Sequence, residues 1–359
     1  MKKVLFITAR ADTGGGPKHV YDLALQLKSF GYEVIIAAPN DKPFGEKFRK
    51  DWSYIEIGHR NFSLLTFLKL LFYCRTENVD LIHSHGRGAG LYSRLLGLFN
   101  FKVIHTFHGV HNEKSLTGKI KLGIDVFLKN LSDLNICVSE DEKKLGVDLG
   151  VTEVERAIVV SNGVNLDQIK KEEKMDLRSI YSFSQDSILI GTLARLNYQK
   201  GIDLLLNILS KQKVPSQWKF LIAGEGEEHD VINKMIHSAG LSEKVYLIGN
   251  CSTPISFLKG LDIYFSTSRW EGLPISVLEA MATPRACVLS NVVGHYDIGR
   301  KSHEVLLHDY DDFVEKISEA ITFKGEIELK AYERVKSDFS IEKMAKKTVE
   351  VYERLYENC

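Results

Sequence analysis

Short runs rich in β-branched residues recur along this chain, and each is followed by a stretch with the 3.6-residue period of a helix. The first set comprises VLFITA, EVIIAA, DLIHSH, KVIHTF, DLNICVS and AIVVSN, which begin at positions 4, 33, 80, 102, 133 and 157. The second set comprises ILIGTLA, KFLIAG, KVYLIG, DIYFSTS and ACVLS, which begin at positions 188, 219, 244, 262 and 286. Strands that alternate with helices predict a parallel sheet that is covered by helices on both faces.

A charged stretch, KKEEKMDLRS at 170–179, separates the two sets of strands. A chain of 359 residues is also longer than one ordinary hydrophobic core supports. The sequence therefore predicts two α/β domains, which we assign to residues 1–165 and 166–339, with a cleft between them. In sheets of this kind ligands bind at the carboxyl ends of the strands.

Composition excludes several other classes of protein. The chain has 47 basic and 47 acidic residues, so no overall positive field attracts nucleic acid. Its five cysteines form no Cys-x-x-Cys pair, which argues against a disulfide framework or a zinc ribbon. The apolar run after MKK is too short for a signal peptide or a membrane span, and we expect a cytoplasmic protein.

The stretch RWEGLPISVLEA at 269–280 places two glutamates around a predicted helix start. Pro274 fits the first position of a helix that runs through Met281, because its missing N–H costs nothing there. Glu271 then lies in the loop and Glu279 lies within the helix. The first turn leaves free N–H groups, which bind phosphate, and Gly272 lets a phosphate approach the backbone closely.

Ionised carboxylates only accept hydrogen bonds, so Glu271 and Glu279 would repel phosphate and must face hydroxyl groups. A ligand with sugar hydroxyls on both sides of a diphosphate satisfies both glutamates and the helix start. That description fits a nucleotide diphosphate sugar. The alternative is that Glu279 is solvated and that Glu271 is favoured by the helix dipole.

The stretch GTLARLNYQKG at 191–201 offers a cationic complement. Arg195 follows a predicted strand, and Lys200 precedes a glycine and a predicted helix. An arginine fork and a lysine ammonium can together neutralise a departing diphosphate. The alternative is that both side chains are solvated in a loop.

In this order, the motifs resemble those of the family 4 glycosyltransferases, which are retaining enzymes of the GT-B fold. The resemblance extends along nearly the whole chain. Its motifs are GGGPKHVYDLALQL at 14–27, HTFHG at 105–109, SNGVNLD at 161–167, RLNYQKG at 195–201, LIAGEGEE at 221–228 and the E-x7-E spacing of Glu271 and Glu279. It implies two Rossmann-like doubly wound domains facing across a cleft, with residues 340–359 returning to the first domain.

The resemblance also implies roles for individual residues. Glu271 would contact the transferred sugar and Glu279 the ribose, while Arg195 and Lys200 would hold the diphosphate. His108 would lie beside the transferred sugar. The predicted catalytic residues are His108, Arg195, Lys200 and Glu271. The predicted donor-binding residues are Gly15, Gly16, Arg195, Lys200, Gly272, Leu273, Pro274, Ile275 and Glu279, with Gly15 and Gly16 in a loop that closes on the donor.

The resemblance implies a metal-independent hexosyltransferase without a cofactor other than its nucleotide sugar. We expect a UDP-sugar as donor, with a GDP-sugar second, and a glycan or lipid-linked acceptor in surface polysaccharide or lipopolysaccharide synthesis. Two alternatives remain open, an epimerase of the same fold and a non-catalytic nucleotide-sugar sensor. A dinucleotide-binding enzyme is disfavoured because the glycine-rich turn places His19 where the fingerprint has Gly or Ala.

Three further stretches leave alternatives open. Five histidines lie at or just after the ends of two neighbouring predicted strands: His83, His85, His105, His108 and His111. They are expected to line the cleft, and the alternative is that they bind a metal. The apolar stretch 61–75 predicts a buried helix or an interfacial one, and the lysine-rich stretch 111–130 predicts a solvated face over a core stripe or contact with anionic lipid. After Ala280 the chain departs from the family pattern, and we assign no site residue there.

Overall fold

We analysed a computed structural model, which describes residues 2–59, 62–110, 115–299 and 304–357. The chain divides into two compact units. Unit 1 comprises residues 1–163 and 341–359, and unit 2 comprises residues 164–340. His111 and Lys114, which the sequence placed near the histidine cluster and in a lysine-rich stretch, lie outside the described residues.

Unit 1 is built on a parallel sheet with strand order β3-β2-β1-β4-β5-β6-β7. Its strands are β1 (Lys2–Thr8), β2 (Tyr32–Ala38), β3 (Ser53–Glu56), β4 (Leu81–His85), β5 (Lys102–Thr106), β6 (Leu134–Cys137) and β7 (Ala157–Val159). Its helices are α1 (Gly15–Leu27), α2 (Phe44–Asp51), α3 (Leu64–Thr76), α4 (Arg87–Gly97), α5 (Leu116–Phe127), α6 (Glu140–Asp148) and α16 (Ile341–Glu357). The direction of connection reverses between β1 and β4.

Unit 2 repeats this plan with strand order β10-β9-β8-β11-β12-β13, again parallel. Its strands are β8 (Ile188–Leu193), β9 (Trp218–Ala223), β10 (Val245–Gly249), β11 (Ile263–Ser266), β12 (Ala286–Ser290) and β13 (Leu306–His308). Its helices are α7 (Leu166–Lys171), α8 (Leu177–Ile180), α9 (Ile202–Lys211), α10 (His229–Ser238), α11 (Pro254–Gly260), α12 (Ile275–Ala282), α13 (His295–Gly299), α14 (Phe313–Thr322) and α15 (Lys324–Asp338). The predicted class, two Rossmann-like α/β domains of the GT-B fold, is confirmed.

Each predicted strand corresponds to an observed one, but β3 and β13 were missed. Both are short strands at an edge of their sheet. β3 reads SYIE, and a single residue of it, Ile55, is buried. A strand covered on one side shows neither a continuous apolar run nor a long alternation, so the sequence carries little signal for it.

Two helices of unit 1 differ from their default interpretation. The stretch 61–75 was expected foremost to be a buried helix, yet α3 exposes Leu65 by 80% and Phe72 by 71%. For α5 the sequence left open a core stripe under a lysine face and contact with anionic lipid, and the first of these would bury its apolar residues. Instead Leu116 and Phe127 are 76% and 84% exposed. Among the described residues, each helix is too short or too polar to cross a membrane.

The last helix, α16, completes the core of unit 1. Met344, Tyr352 and Leu355 are buried among residues of α1 and the first strands. The Tyr352 hydroxyl is hydrogen-bonded to His83 Nδ1 at 2.6 Å, and His83 Nε2 is hydrogen-bonded to the Thr106 hydroxyl at 2.7 Å. Both ring nitrogens of a fully buried histidine are thereby satisfied, and one depends on the C-terminal helix.

We expect Tyr352→Phe to destabilise unit 1 by about 1–3 kcal/mol, because the change leaves a buried nitrogen of His83 without its partner. Denaturant unfolding followed by circular dichroism measures this loss. Tyr356→Phe is the matched control, since its hydroxyl donates to the Asp80 carbonyl at 3.3 Å in an exposed position. Equal stability of Tyr352→Phe and the control would contradict the assigned role.

Candidate functional site

The predicted cationic and acidic residues of unit 2 meet where its sheet reverses direction. β8 pairs with β9 on one side and with β11 on the other. The connections after β8 and β11 leave in opposite directions, which opens a crevice at the carboxyl ends of these strands. Arg195 and Lys200 follow β8, and Glu271 follows β11. The fold therefore gathers residues that are 70 or more positions apart in the chain.

Lys200 and Glu271 form a largely buried ion pair. Lys200 Nζ lies 2.5 Å from Glu271 Oε1, and the Ser268 hydroxyl donates to the same oxygen at 2.7 Å. Burial by itself would raise the pKa of Glu271, but the Lys200 ammonium and the Ser268 hydrogen bond hold the pKa below its usual value. Glu271 is therefore an ionised hydrogen-bond acceptor at neutral pH.

The turn between Glu271 and Glu279 differs in one respect from its prediction. The helix α12 begins at Ile275, and Pro274 is its N-cap with φ −71° and ψ 122°, not its first helical residue. Extended backbone at Pro274 separates the loop from the helix. Glu279 lies in the second turn and is 6% exposed, so the alternative of a solvated Glu279 is excluded. The predicted donor-binding residues Gly272, Leu273, Pro274 and Ile275 form this turn.

The two loops that carry Lys200 and Glu271 interlock through their backbones. Gly201 has φ +62°, and a Cβ there would lie 2.2 Å from the Thr267 carbonyl oxygen. The Thr267 hydroxyl donates to the Gly201 carbonyl at 2.9 Å. The close approach leaves no room for a side chain at Gly201, and it sets the distance between the ion-pair partners.

Arg269 is a second link between these loops, and sequence reasoning missed its role. Its guanidinium donates to both carboxylate oxygens of Asp203, at 2.8 and 2.6 Å, and to the Tyr198 carbonyl at 2.7 Å. This hydrogen bonding, more than the charge of Arg269, holds the pKa of Asp203 below its usual value. Arg269, two residues before the predicted E-x7-E motif, thus joins the start of α9 to the loop after β11.

Arg195 is positioned by the glycine-rich turn of LIAGEGEE. A Cβ at Gly224 would lie 2.1 Å from the Ala194 carbonyl oxygen, and one at Gly226 would lie 2.2 Å from the Leu196 carbonyl oxygen. Leu196 N–H also donates to the Glu225 carbonyl at 3.0 Å. The turn after β9 therefore packs directly on the backbone at both sides of Arg195.

His295 lies beside Glu271, although no residue after Ala280 was assigned to the site. Gly294, with φ +87°, lies so close to Gly272 that a Cβ would be 2.1 Å from its carbonyl oxygen. His295 is fully buried, and its Nδ1 donates to the Ser290 carbonyl at 2.9 Å. Burial lowers the pKa of His295 to about 4 despite the nearby charge of Glu271. The position of this residue just after β12 was a signal that could have identified it.

In unit 1 the predicted residues lie at the reversal between β1 and β4. Gly15 and Gly16 were expected in a loop, but they are the first two residues of α1. The expected loop is therefore the start of a helix, and the contact of Gly15 and Gly16 with a donor stays a prediction. His108 follows β5 in the segment after the strand.

Three imidazoles cluster at this edge of the unit 1 sheet. Ring nitrogens of His19, His85 and His108 lie within 4.8 Å of one another, and both ring nitrogens of His85 lack a hydrogen-bond partner within the described residues. Burial lowers the pKa of His19 to about 4, and it lowers those of His85 and His108 well below 6.5, with the neighbouring imidazoles adding to the effect. The cluster is neutral at pH 7.

The segment that carries His108 is held by a buried carboxylate. Glu142, in the first turn of α6, accepts hydrogen bonds from the N–H groups of Gly109 at 2.6 Å, Val110 at 3.0 Å and Val138 at 2.7 Å. Its side chain is fully buried. Glu142 is a positioning residue that the sequence analysis did not identify, because the spacing Ser139-x-x-Glu142 predicts a helix N-terminus and not a contact with the His108 segment.

A cavity of about 190 Å³ lies beside His108 in unit 1. It is lined by Gly86, Arg87, Phe107, His108, Gly109, Val110, Asp125 and Val151. Asp125 Oδ2 accepts from Arg87 Nε at 2.7 Å, and its Oδ1 accepts from Arg94 at 2.9 Å. The pocket therefore has apolar walls and one paired charged group, a combination suited to a polar ligand with apolar faces.

Comparison with known proteins agrees with this architecture. Residues 13–168 match the family model described as Glycosyltransferase Family 4, and residues 173–337 match the one described as Glycosyl transferases group 1. Together the two models cover most of the chain. The chain belongs to the glycosyltransferases, with a family 4 domain followed by a group 1 domain, and it is an enzyme of that class.

Individual relatives are more distant. The chain is 25% identical over 352 residues to the O-antigen biosynthesis glycosyltransferase WbnH of Escherichia coli, covering 92% of this chain and 97% of WbnH. It is 26% identical over 267 residues to an Escherichia coli UDP-Gal:alpha-D-GlcNAc-diphosphoundecaprenol alpha-1,3-galactosyltransferase, covering 70% and 68% of the two chains. The crystal structure of Anabaena HepE in complex with UDP and glucose superimposes with a TM-score of 0.86, at 18% identity, over 99% of this chain and 100% of HepE.

Gly201→Ala should disturb the Lys200–Glu271 pair, because a methyl group meets the Thr267 carbonyl in addition to the strain of a positive φ. Gly240→Ala is the matched control: Gly240 has φ +65° with nothing within 4 Å. We expect Gly201→Ala to cost about 2 kcal/mol more than the control in denaturant unfolding. Equal costs would mean that the close approach to Thr267 is unimportant.

The neutral histidine cluster makes unit 1 sensitive to acid. The folded-state pKa of His19 is about 4 against 6.5 when unfolded, so the unfolded chain binds more protons between these values and stability falls as pH drops through this window. We expect the loss to approach 1.4 kcal/mol per pH unit for each such histidine. Urea unfolding from about pH 7 to about pH 5 measures it.

His19→Leu removes one titrating group. It should therefore reduce the slope of the free energy of unfolding against pH by up to about 1.4 kcal/mol per pH unit, the contribution of one proton. His237→Leu is the control, since His237 is exposed and lies in unit 2, away from the cluster. An unchanged slope in His19→Leu would contradict the burial of a neutral imidazole.

Proposed function

We propose that the protein transfers a hexose from a UDP-sugar to a hydroxyl group of a glycan or lipid-linked acceptor, with retention of the anomeric configuration. The observation that carries this proposal is the largely buried Lys200–Glu271 pair at the reversal point of the unit 2 sheet, where Arg195 follows β8. The relatives support it, since the Escherichia coli galactosyltransferase uses UDP-Gal and HepE binds UDP and glucose. WbnH acts in O-antigen biosynthesis, which supports a role in surface-polysaccharide or lipopolysaccharide synthesis.

The charges in unit 2 suit the departure of a nucleotide diphosphate. A lysine ammonium has three donors, and Lys200 gives one to Glu271, so two can bind phosphate oxygens. The Arg195 guanidinium adds a planar fork that matches phosphate geometry. As the bond between the anomeric carbon and the phosphate breaks, negative charge develops on the diphosphate, and these preorganised cations stabilise it.

The two glutamates bind hydroxyl groups of the donor in this proposal. Glu271 is ionised, so it accepts hydrogen bonds from the transferred sugar and is not a proton donor. Glu279 accepts from the ribose hydroxyls, and the N–H groups of the turn at Gly272–Ile275 contact the diphosphate. Attack by the acceptor hydroxyl on the face that the leaving group vacates gives retention.

In unit 1, His108 lies beside the transferred sugar, and Gly15 and Gly16 at the start of α1 contact the donor. The acceptor binds in the cavity lined by Arg87, His108 and Asp125. The nucleotide sugar is the donor, and no metal or other cofactor takes part. The reaction takes place in the cytoplasm, where nucleotide sugars are made, at the surface of the inner membrane when the acceptor is lipid-linked.

The decisive experiment is calorimetric titration of UDP, GDP, ADP and CDP, and of their common sugar conjugates, into the wild type and into Glu279→Ala. We expect the uridine compounds to show saturable binding to the wild type. Glu279→Ala should weaken this binding about tenfold or more, because the ribose hydroxyls lose the carboxylate that accepts their hydrogen bonds. Binding of GDP-sugars and not of uridine compounds would assign a GDP-sugar as the donor. Absence of binding to any nucleotide would overturn the proposal.

Turnover separates the roles of the charged residues. Arg195→Ala should lower kcat about 100-fold or more, because a contact to the leaving group is lost, whereas Glu279→Ala should mainly raise KM for the donor. Lys211→Ala, at the exposed end of α9, is the control. Near wild-type kcat in Arg195→Ala would contradict its assignment, and activity lost in EDTA would contradict metal independence. Product analysis with donor alone detects an epimerase.

A further inference from the structure

The helix α5 in unit 1 presents its apolar side outward. Leu116, Ile120, Ile124 and Phe127 are 76%, 57%, 45% and 84% exposed. At about 100° per residue these four side chains fall within an arc of roughly 80° on the helix surface. Exposed apolar residues that occur singly need no explanation, but a continuous stripe along a helix marks an interaction surface.

The opposite side of α5 faces the protein. Gly118 and Asp125 are buried, and Leu122 and Val126 are half-buried against the small core around Phe107. Gly118, Leu122 and Asp125 lie roughly 145° to 165° from the centre of the exposed stripe and Val126 lies about 115° from it, so they form the inner face that anchors α5. Asp125 fixes that anchor through its bonds to Arg87 and Arg94 of α4. The outward direction of the stripe is therefore set by a buried charged contact.

The charges on α5 identify the partner. Lys119 and Lys121 are exposed and lie on either side of the apolar stripe, roughly 95° to 105° from its centre. The acidic residue of α5, Asp125, is buried and paired, so within the described part of the chain this helix exposes positive charge alone. Lysines that flank an apolar stripe extend to the phosphate groups while the stripe enters the hydrocarbon.

We propose that α5 seats unit 1 on an anionic lipid surface. Leu116, Ile120, Ile124 and Phe127 enter the lipid, and Lys119 and Lys121 contact the head groups. The helix lies in the plane of the interface, because its 12 residues are too few to span a bilayer. Attraction between the lysines and anionic head groups makes binding dependent on lipid charge and on salt.

This surface adjoins the cavity that the proposed function assigns to the acceptor. Ile124 belongs to the outer stripe, and the next residue, Asp125, lines the cavity. One helix thus carries both the lipid contact and a wall of the pocket. This step rests on the proposed function: docking through α5 brings the pocket to the height of an acceptor head group at the lipid surface.

A second exposed apolar face lies on α3, and it is an alternative docking element. α3 exposes Leu65, Leu68 and Phe72, with Lys69 on one side of them and Arg75, which lies over the Phe99 ring, on the other. Both helices thus have a cation on each side of the apolar face, but α5 also forms a wall of the cavity through Asp125, which favours α5 as the docking element. Flotation of one variant in each helix shows which of the two helices binds lipid.

Vesicle flotation of the full-length protein tests the proposal. The probes are vesicles of phosphatidylcholine and vesicles that also contain phosphatidylglycerol. We expect the wild type to float with the anionic vesicles and to be released by salt. Ile120→Asp/Phe127→Asp should weaken binding about tenfold or more for each apolar side chain replaced. Lys119→Glu/Lys121→Glu should weaken it at least about fivefold for each lysine.

The matched control is Phe323→Asp/Leu329→Asp, which changes one exposed phenylalanine and one exposed aliphatic side chain in unit 2. It should float like the wild type. UDP titration of every variant separates docking from the proposed function, because loss of flotation with nucleotide binding intact concerns α5 alone. Circular dichroism and that titration also show that each variant is folded.

Several outcomes would overturn the proposal. They are failure of the wild type to float, flotation of Ile120→Asp/Phe127→Asp like the wild type, and loss of flotation confined to Leu65→Asp/Phe72→Asp in α3. A concentration-dependent dimer that Ile120→Asp/Phe127→Asp dissociates, without vesicle binding by the wild type, would assign the stripe to self-association instead.

Discussion

The buried ion pair between Lys200 and Glu271 is the contact on which the site of unit 2 depends. Removing two charges from water is costly, and their attraction offsets the cost only when the geometry is good and the remaining oxygen lone pairs are bonded. The Ser268 hydroxyl and the close backbone contact between Gly201 and Thr267 meet these conditions. The pair in turn fixes the position of the Lys200 ammonium relative to the accepting oxygens of Glu271.

Unit 1 uses a different electrostatic arrangement at the equivalent edge of its sheet. Its imidazoles are neutral and buried, and several of their nitrogens have no partner among the described residues. Buried polar groups without partners lower stability, so they are rare unless they serve a ligand. Unit 2 therefore presents fixed charge at this edge of its sheet, whereas unit 1 presents neutral hydrogen-bonding groups.

The exposed faces of α3 and α5 show why hydrophobicity alone does not indicate burial. In both helices an apolar residue recurs at helical spacing on the inner and on the outer side, so the sequence pattern fits a buried helix. Each helix contacts its unit through a few residues, such as Phe67 and Leu70 in α3. The side that remains is exposed although it is apolar, and local periodicity does not reveal which side contacts the unit.

The sequence by itself determined the α/β class, the two sets of parallel strands and the order of the motifs. Strands that alternate with helices leave few arrangements, and glycines such as Gly201 and Gly224 mark places where backbone segments approach closely. Local signals were weaker for the edge strands β3 and β13 and for the helix start at Pro274, where neighbouring structure and not propensity sets the boundary.

Tertiary structure decided which charged residues become partners. Lys200 and Glu271 are 71 positions apart, and their pairing follows from the placement of β8 beside β11. The same holds for Glu142, which holds the His108 segment, for His295 beside Glu271 and for the outward direction of α5. Each of these depends on distances between residues remote in the chain, and a single sequence records residue types and spacing but not those distances.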